Sequence, residues 1–130
     1  MEGLLFLCVA NSARSQLAEG LARQRFGGSV RVQSAGSRPS SVNPLAVRVM
    51  KELGIDISKN TSKSVVTIAL DSVDTVVTLC AEEVCPTILK LTRRIHWSLR
   101  DPAAATGPES ERLQIFRDVR DEIARLLKTL

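Results

Sequence analysis

Cys8 and Arg14 are separated by five residues, Val9-Ala10-Asn11-Ser12-Ala13, and Ser15 follows directly. Arg14 carries a planar fork that can grip two oxygens of an oxyanion. Cys8 supplies a nucleophile, but only as the thiolate. A free thiol titrates near ~8.5, so the surroundings must bring hydrogen-bond donors to the sulfur. The flanking residues suggest how. Leu4-Leu5-Phe6-Leu7-Cys8 is a continuous apolar run, the pattern of a strand covered on both faces. Leu17, Ala18, Leu21, Ala22 and Phe26 then recur at helical spacing, and Gly27-Gly28 end that helix. A short connection between strand and helix turns successive backbone N–H groups toward one point, where the helix terminus adds partial positive charge. Val9, Ala10, Asn11, Ser12, Ala13, Arg14 and Ser15 therefore form a candidate oxyanion-binding loop with Cys8 at its floor. The competing reading makes Cys8 a small apolar residue that merely ends a core strand.

The elements that must hold this loop alternate along the chain. Val30 to Ala35 reads as a second strand, and Gly36 to Val42 as a Ser/Pro loop. Asn43-Pro44 starts a helix as cap and first position, with Ala46, Val49, Met50 and Leu53 as its inner stripe and Gly54 as its stop. Ser58 to Leu70 reads as a loop with a short helix. Thr75 to Leu79 is a β-branched third strand. Glu82 to Leu91 suggests a short helix near Pro86, and Arg94 to Trp97 a fourth strand. Thr106 and Glu109 have capping-box spacing before a last helix whose apolar face is Leu113, Phe116, Val119, Ile123, Leu127 and Leu130. Such alternation predicts one α/β domain over residues 1–130, with a parallel sheet and helices on both faces. Its ligand belongs beyond the carboxyl ends of the strands.

Composition excludes other classes. The 130 residues are 44% hydrophobic and 25% charged, an ordinary globular balance. Aromatics are 3%, with no Tyr, which argues against a base-stacking nucleic-acid module. The net charge of +4 suits a mildly basic surface or attraction for a small anion. The apolar run from Gly3 to Ala10 follows Glu2 and no Lys or Arg, and is too short for a secretory signal or a bilayer span. A cytoplasmic, membrane-free protein is expected.

Three cysteines are an odd set, better suited to reduced thiols than to a secreted disulfide framework. Cys80 ends the third strand and so shares a sheet edge with Cys8, despite 71 intervening residues. Cys85 follows after four residues, near enough for a local disulfide if that segment bends. Zinc binding lacks a plausible set of four ligands, since His96 is the only histidine, and no metal or cofactor is expected. Two inert buried thiols form one alternative; a redox relay beside an anion loop is the other.

The stretch from Cys8 to Gln16, followed by Ala18-Glu19-Gly20, resembles the signature of the low-molecular-weight protein tyrosine phosphatase family. Within it, the likeness is closest to the thioredoxin-coupled arsenate reductases. It continues through Ser34-Ala35-Gly36, Gly54-Ile55-Asp56-Ile57, the segment from Val76 to Cys85, and Asp101-Pro102-Ala103. The resemblance implies a three-layer α/β sandwich with a four-stranded parallel sheet in the order 2-1-3-4. It also implies a catalytic set of Cys8, Arg14, Asp101, Cys80 and Cys85. Cys8 attacks arsenate, Asp101 is the general acid, and the disulfide passes from Cys8–Cys80 to Cys80–Cys85 before thioredoxin resets it. A monomer is the family habit. Glutaredoxin or another thiol system is the alternative reductant.

Two departures from the family pattern bear on this. The spacing from Cys80 to Cys85 is shorter than in other relay enzymes of the family. Some members hold a structural potassium ion, and Asn11, Glu19, Ser34 and Thr61 match that site. Lys63 stands where an acidic residue is often found, so its ammonium is expected to replace the ion. A phosphatase acting through a Cys8 phosphoenzyme is the first alternative function. It would place aromatic side chains after Asp101-Pro102, where this chain has Ala103-Ala104-Ala105. A non-enzymatic oxyanion sensor is the second. Residue by residue, plainer roles compete as well. Asp101-Pro102 is also a turn signal, Asn11 and Ser15 are also helix-capping residues, and His96 reads as structural. Arg93, Arg94 and Arg100 read as a solvated basic face.

Overall fold

The computed structural model describes residues 1–80 and 92–130. The expected helix from Glu82 to Leu91, and Cys85 with it, lie outside the described residues. Strand β1 (Gly3–Cys8) is buried along its whole length, as its unbroken apolar run requires. It lies between β2 (Arg31–Gly36) and β3 (Thr75–Thr78), and β4 (Arg93–His96) adds beyond β3. All pairings are parallel and the order is β2-β1-β3-β4, as expected.

The register decides where the chemistry sits. Cys8 is opposite Gly36 on β2, and Leu7 is opposite Thr78 on β3. The N–H of Leu79 then donates to the Leu7 carbonyl at 2.9 Å. Cys8 and Cys80 thus leave the carboxyl ends of two neighbouring strands.

Period-two alternation divides the core. Leu4, Phe6 and Cys8 of β1 and Val77 of β3 face α1 (Arg14–Phe26), α2 (Pro44–Lys51) and α3 (Glu109–Leu127). Leu5, Leu7, Ala35 and Val76 face the other way, under Val65, Ile68 and Leu70. Those residues belong to, or flank, two 3-10 turns, Val65–Thr67 and Leu70–Ser72. Among the described residues the α-helices therefore share one face, and 3-10 turns form the layer on the other.

Helix α2 starts as its sequence indicates: the Asn43 side chain accepts from the Leu45 N–H at 2.9 Å, and Pro44 takes the first position. Leu53 does not join its inner stripe. The helix ends at Lys51, Leu53 is 42% exposed, and Leu45 is buried in the core instead. Nor does Thr106 cap α3. Gly107 has φ +107, a value no helix contains, so the helix begins beyond it at Glu109 without a side-chain cap. The two helices are tied by Glu52, which accepts from Arg117 at 2.8 Å and from Arg120 at 2.8 Å.

Candidate active site

The loop after β1 is held from outside by its carbonyls. Arg38 N–H donates to the Val9 carbonyl at 2.9 Å, Ser40 N–H to that of Ala10 at 3.2 Å, and Asn43 N–H to that of Ser12 at 3.0 Å. The Ser62 hydroxyl also donates to Ala10, at 2.7 Å, and the Gln16 side chain to the Asn11 carbonyl at 3.2 Å. The Ala13 carbonyl accepts from Leu17 inside α1. In a trans peptide the next N–H points opposite to the carbonyl. Five carbonyls drawn outward and into the helix therefore turn the N–H groups of Ala10, Asn11, Ser12, Ala13 and Arg14 inward. One of these inward groups meets the sulfur itself: Asn11 N–H donates to Cys8 Sγ at 3.2 Å.

Asn11 makes this turn at φ +48, the left-handed region that Asn tolerates better than most residues. Its side chain is fully buried and fully used. Nδ2 donates to Ser15 Oγ at 2.7 Å and to Ser34 Oγ at 2.9 Å. Oδ1 accepts from Gln16 Nε2 at 3.0 Å and from Lys63 N–H at 2.8 Å. Ser15 Oγ lies 2.8 Å from Cys8 Sγ. The Ser15 oxygen already accepts from Asn11, so its own proton is available to the sulfur. Neither Asn11 nor Ser15 caps α1; Ala13 holds that position and no side chain caps the helix. The first turn also lacks acidic residues, so an incoming anion meets no competing carboxylate on the helix terminus.

Arg14 is 3% exposed, and its Nη1 donates to the carbonyls of Leu99 at 3.1 Å and Leu79 at 3.3 Å. Its Nη2 stands 3.8 Å from Asp101 Oδ2. Asp101 also accepts from Ala103 N–H at 3.0 Å, capping the turn Pro102–Ala104. The turn signal and the site position thus coexist. The Asp101 side chain is 38% exposed, so one carboxylate is both fixed and reachable. Cys8, Val9, Ala10, Ser12, Ala13, Arg14 and Asp101 line one cavity of about 420 Å³, with Ser40 and Ala103 at its walls. Cys8 is a free, buried thiol, 2% exposed. Cys80 is buried in the same core beside Leu79, one residue past the carbonyl that receives Arg14. A free thiol, a ring of inward amides, a guanidinium and a carboxylate here surround a space suited to a small tetrahedral anion.

A family model of the low molecular weight phosphotyrosine protein phosphatases matches residues 3–130. The chain belongs to this family. Among its relatives in the phosphatase family, the arsenate reductase of Halalkalibacterium halodurans is 47% identical over 128 residues, covering 97% of this chain and 92% of the relative. A solved arsenate reductase in its phosphate-binding state superposes with a TM-score of 0.81 at 34% identity, covering 99% of this chain and 95% of that one. The thioredoxin-dependent arsenate reductase Cg_ArsC1' of Corynebacterium glutamicum has a TM-score of 0.72 at 30% identity, with 99% of this chain and 61% of that chain covered.

Several contributors to this phosphatase-family site are not visible from the sequence alone. Asn60 donates to Gln16 and to Glu19 from more than forty positions further along the chain. Ser40 reaches the cavity from the Ser/Pro loop, where no periodicity marks it. Lys63 donates through Nζ to the Thr61 carbonyl at 3.0 Å and stands 3.8 Å from Glu19 Oε1. Among the described residues, no group of three or more His, Cys, Asp or Glu side chains is placed to hold a metal ion. No helix among them is long and apolar enough to cross a membrane.

Proposed function

We propose that the protein reduces arsenate to arsenite through Cys8, with Cys80 and Cys85 carrying the oxidising equivalents away. The observation that supports this reading most is the Cys8 sulfur beneath inward-turned amides, with Cys80 leaving the adjacent strand end. Arsenate enters the cavity, held by the loop amides and Arg14. The Cys8 thiolate attacks arsenic and displaces one oxygen, which Asp101 protonates so that it leaves as water. The Cys80 thiolate then attacks the Cys8 sulfur. As that disulfide forms, the electron pair of the sulfur–arsenic bond passes to arsenic, which falls from the pentavalent to the trivalent state and departs as arsenite. Cys85 attacks Cys80, freeing Cys8 as thiolate and leaving a Cys80–Cys85 disulfide. A thioredoxin dithiol reduces that bond; the Corynebacterium relative is itself thioredoxin-dependent.

A second reading, phosphomonoester hydrolysis through a Cys8 phosphoenzyme, is favoured by the family match. It requires Cys8, Arg14 and Asp101 but neither Cys80 nor Cys85. Ala103 lines the cavity beyond Asp101, so an aryl ring would find a methyl group there. That wall favours a small inorganic substrate.

Potassium does not fit this chain. Lys63 already brings an ammonium to Glu19 and the Thr61 carbonyl, and a second cation among the same oxygens would meet a like charge. Activity at constant ionic strength is therefore expected to be indifferent to added potassium. The function itself is tested by arsenate-dependent NADPH consumption with thioredoxin and its reductase, run beside aryl phosphate hydrolysis. Turnover in the first assay that Cys85→Ser abolishes supports the reductase. Hydrolysis alone supports the phosphatase, and binding without either supports a sensor.

A further inference from the structure

A second cavity, of about 440 Å³, opens along the free edge of β2 and shares no residue with the one above Cys8. Four cations from separate stretches of the chain converge on it. Arg23 comes from α1, Arg31 from β2, and Lys59 and Lys63 from the segment between α2 and the turn Val65–Thr67. The carboxylate in its lining, Glu19, is 1% exposed and already accepts from Ser34 at 3.3 Å and Asn60 at 3.0 Å. Arg23 and Lys63 approach that same carboxylate, at 3.5 and 3.8 Å. Arg31 and Lys59 are exposed, and among the described residues neither forms an ion pair. Asp56 lines the adjoining cavity, which shares Arg23 and Asn60, and it accepts from the Ser58 N–H at 2.8 Å. Lys59 is attracted to Asp56 without reaching salt-bridge distance.

The strand edge adds a donor of its own. Arg31 N–H donates to the Glu2 carbonyl, on the β1 side, at 2.8 Å. Successive N–H groups of a strand point to opposite sides, so the Val32 N–H points away from β1, to the edge where the cavity lies. The Val32 carbonyl on that edge is already taken by Arg23 Nη2 at 3.3 Å. The lining is thus left with a free amide and, with four cations against one carboxylate, an excess of three positive charges. Like charges gathered in this way repel one another, and a bound anion relieves the repulsion.

We propose that this cavity is a second anion site that takes a diphosphate, either the inorganic ion or the diphosphate of a nucleotide. Its volume lies within the ~300–1,000 Å³ range of small-ligand sites, and a single tetrahedral oxyanion would leave most of it empty. Two linked phosphoryl groups supply a charge that balances the excess. Arg31 and Lys59, the two cations without an ion pair among the described residues, offer one partner to each group. The Arg31 fork can hold two oxygens of one phosphoryl group, and the Lys59 ammonium acts on the other as a point charge. The Val32 N–H completes the set.

The test is an amide NMR titration of the reduced full chain with inorganic pyrophosphate, inorganic phosphate and ADP at low salt. The loop after β1 also suits oxyanions, so the two sites are read separately: Ala10 to Arg14 report the catalytic cavity, and Val32 reports this one. Pyrophosphate is expected to shift the Val32 amide with a Kd about tenfold or more below that of phosphate, the worth of one further charged contact. The double variant Arg31→Ala, Lys59→Ala should raise the pyrophosphate Kd at Val32 by about 10- to 100-fold, the loss of two such contacts. Its melting temperature and the response of Ala10 to Arg14 to phosphate should stay as in the parent, because both side chains are exposed and lie outside the catalytic cavity. Tighter binding of ADP than of pyrophosphate assigns the site to a nucleotide, and the reverse assigns it to the inorganic ion. No shift at Val32, equal Kd values for phosphate and pyrophosphate, or a Kd unchanged in the double variant overturns the proposal. An oligo-aspartate peptide that shifts Val32 at lower concentration than either diphosphate overturns it too, and gives the surface to an acidic protein.

Discussion

Gly36 lies directly under the carbonyl of Val9. A Cβ on residue 36 would stand 2.3 Å from the Val9 oxygen and 2.9 Å from the Asn11 nitrogen. The loop can cross the end of β2 only because that side chain is missing. Gly36→Ala is therefore expected to displace the loop, misaim its amides and cut kcat/KM by a hundredfold or more, on the order expected for angstrom-scale misplacement of a reacting group. Steady-state kinetics beside a melting curve checks this. Full activity in Gly36→Ala would mean that the loop tolerates movement.

Ser15 bonds to the sulfur rather than to the helix end. Ser15→Ala removes one donor from the Cys8 sulfur, and under the proposed chemistry its rate at neutral pH should fall about 10- to 100-fold, the range for a hydrogen bond to a charged group. The decrease should shrink as pH rises. Unchanged activity with an unchanged pH profile would assign Ser15 to packing alone.

Asp101→Asn retains an oxygen for the Ala103 N–H, so the turn should survive. The proton for the departing oxygen is lost. kcat should fall by about 10²–10⁴, the usual worth of a general acid, while Cys8 alkylation continues. Loss of alkylation together with turnover would show instead that Asp101 shapes the loop.

Glu52 gives a prediction about pH and stability. Hydrogen bonds from Arg117, and then from Arg120, lower its pKa from 4.5 to about 2. A lowered folded value means that the contribution to stability is complete above the unfolded value and is lost as pH falls toward the folded one. Glu52→Gln should therefore melt below the parent at pH 7, and the gap should close between about pH 4.5 and about 2. A gap independent of pH would show that the carboxylate is not the source.

How much of this could be read from the residues follows from the range of the interactions. Local signals were legible. The apolar run of β1, the Asn43-Pro44 start of α2 and the β-branched β3 fold as their sequences indicate. The spacing from Cys8 to Arg14 marks the loop because strand, turn and helix are contiguous there. Thr106 misleads because the capping box ignores Gly107, whose backbone angle ends any helix before Pro108. Leu53 misleads because the apolar period outlasts α2 itself. The ties from Asn60 to Gln16 and Glu19 leave no local pattern, since they close only through the tertiary fold.

The most direct measurement is a thiol map of the reduced protein after arsenate is added without any reductant. The account predicts one arsenite per chain, a disulfide between Cys80 and Cys85, and Cys8 returned to the thiol. In Cys8→Ser, no arsenite and no disulfide should form. Three intact thiols after exposure to arsenate, or arsenite formed without Cys8, would contradict it.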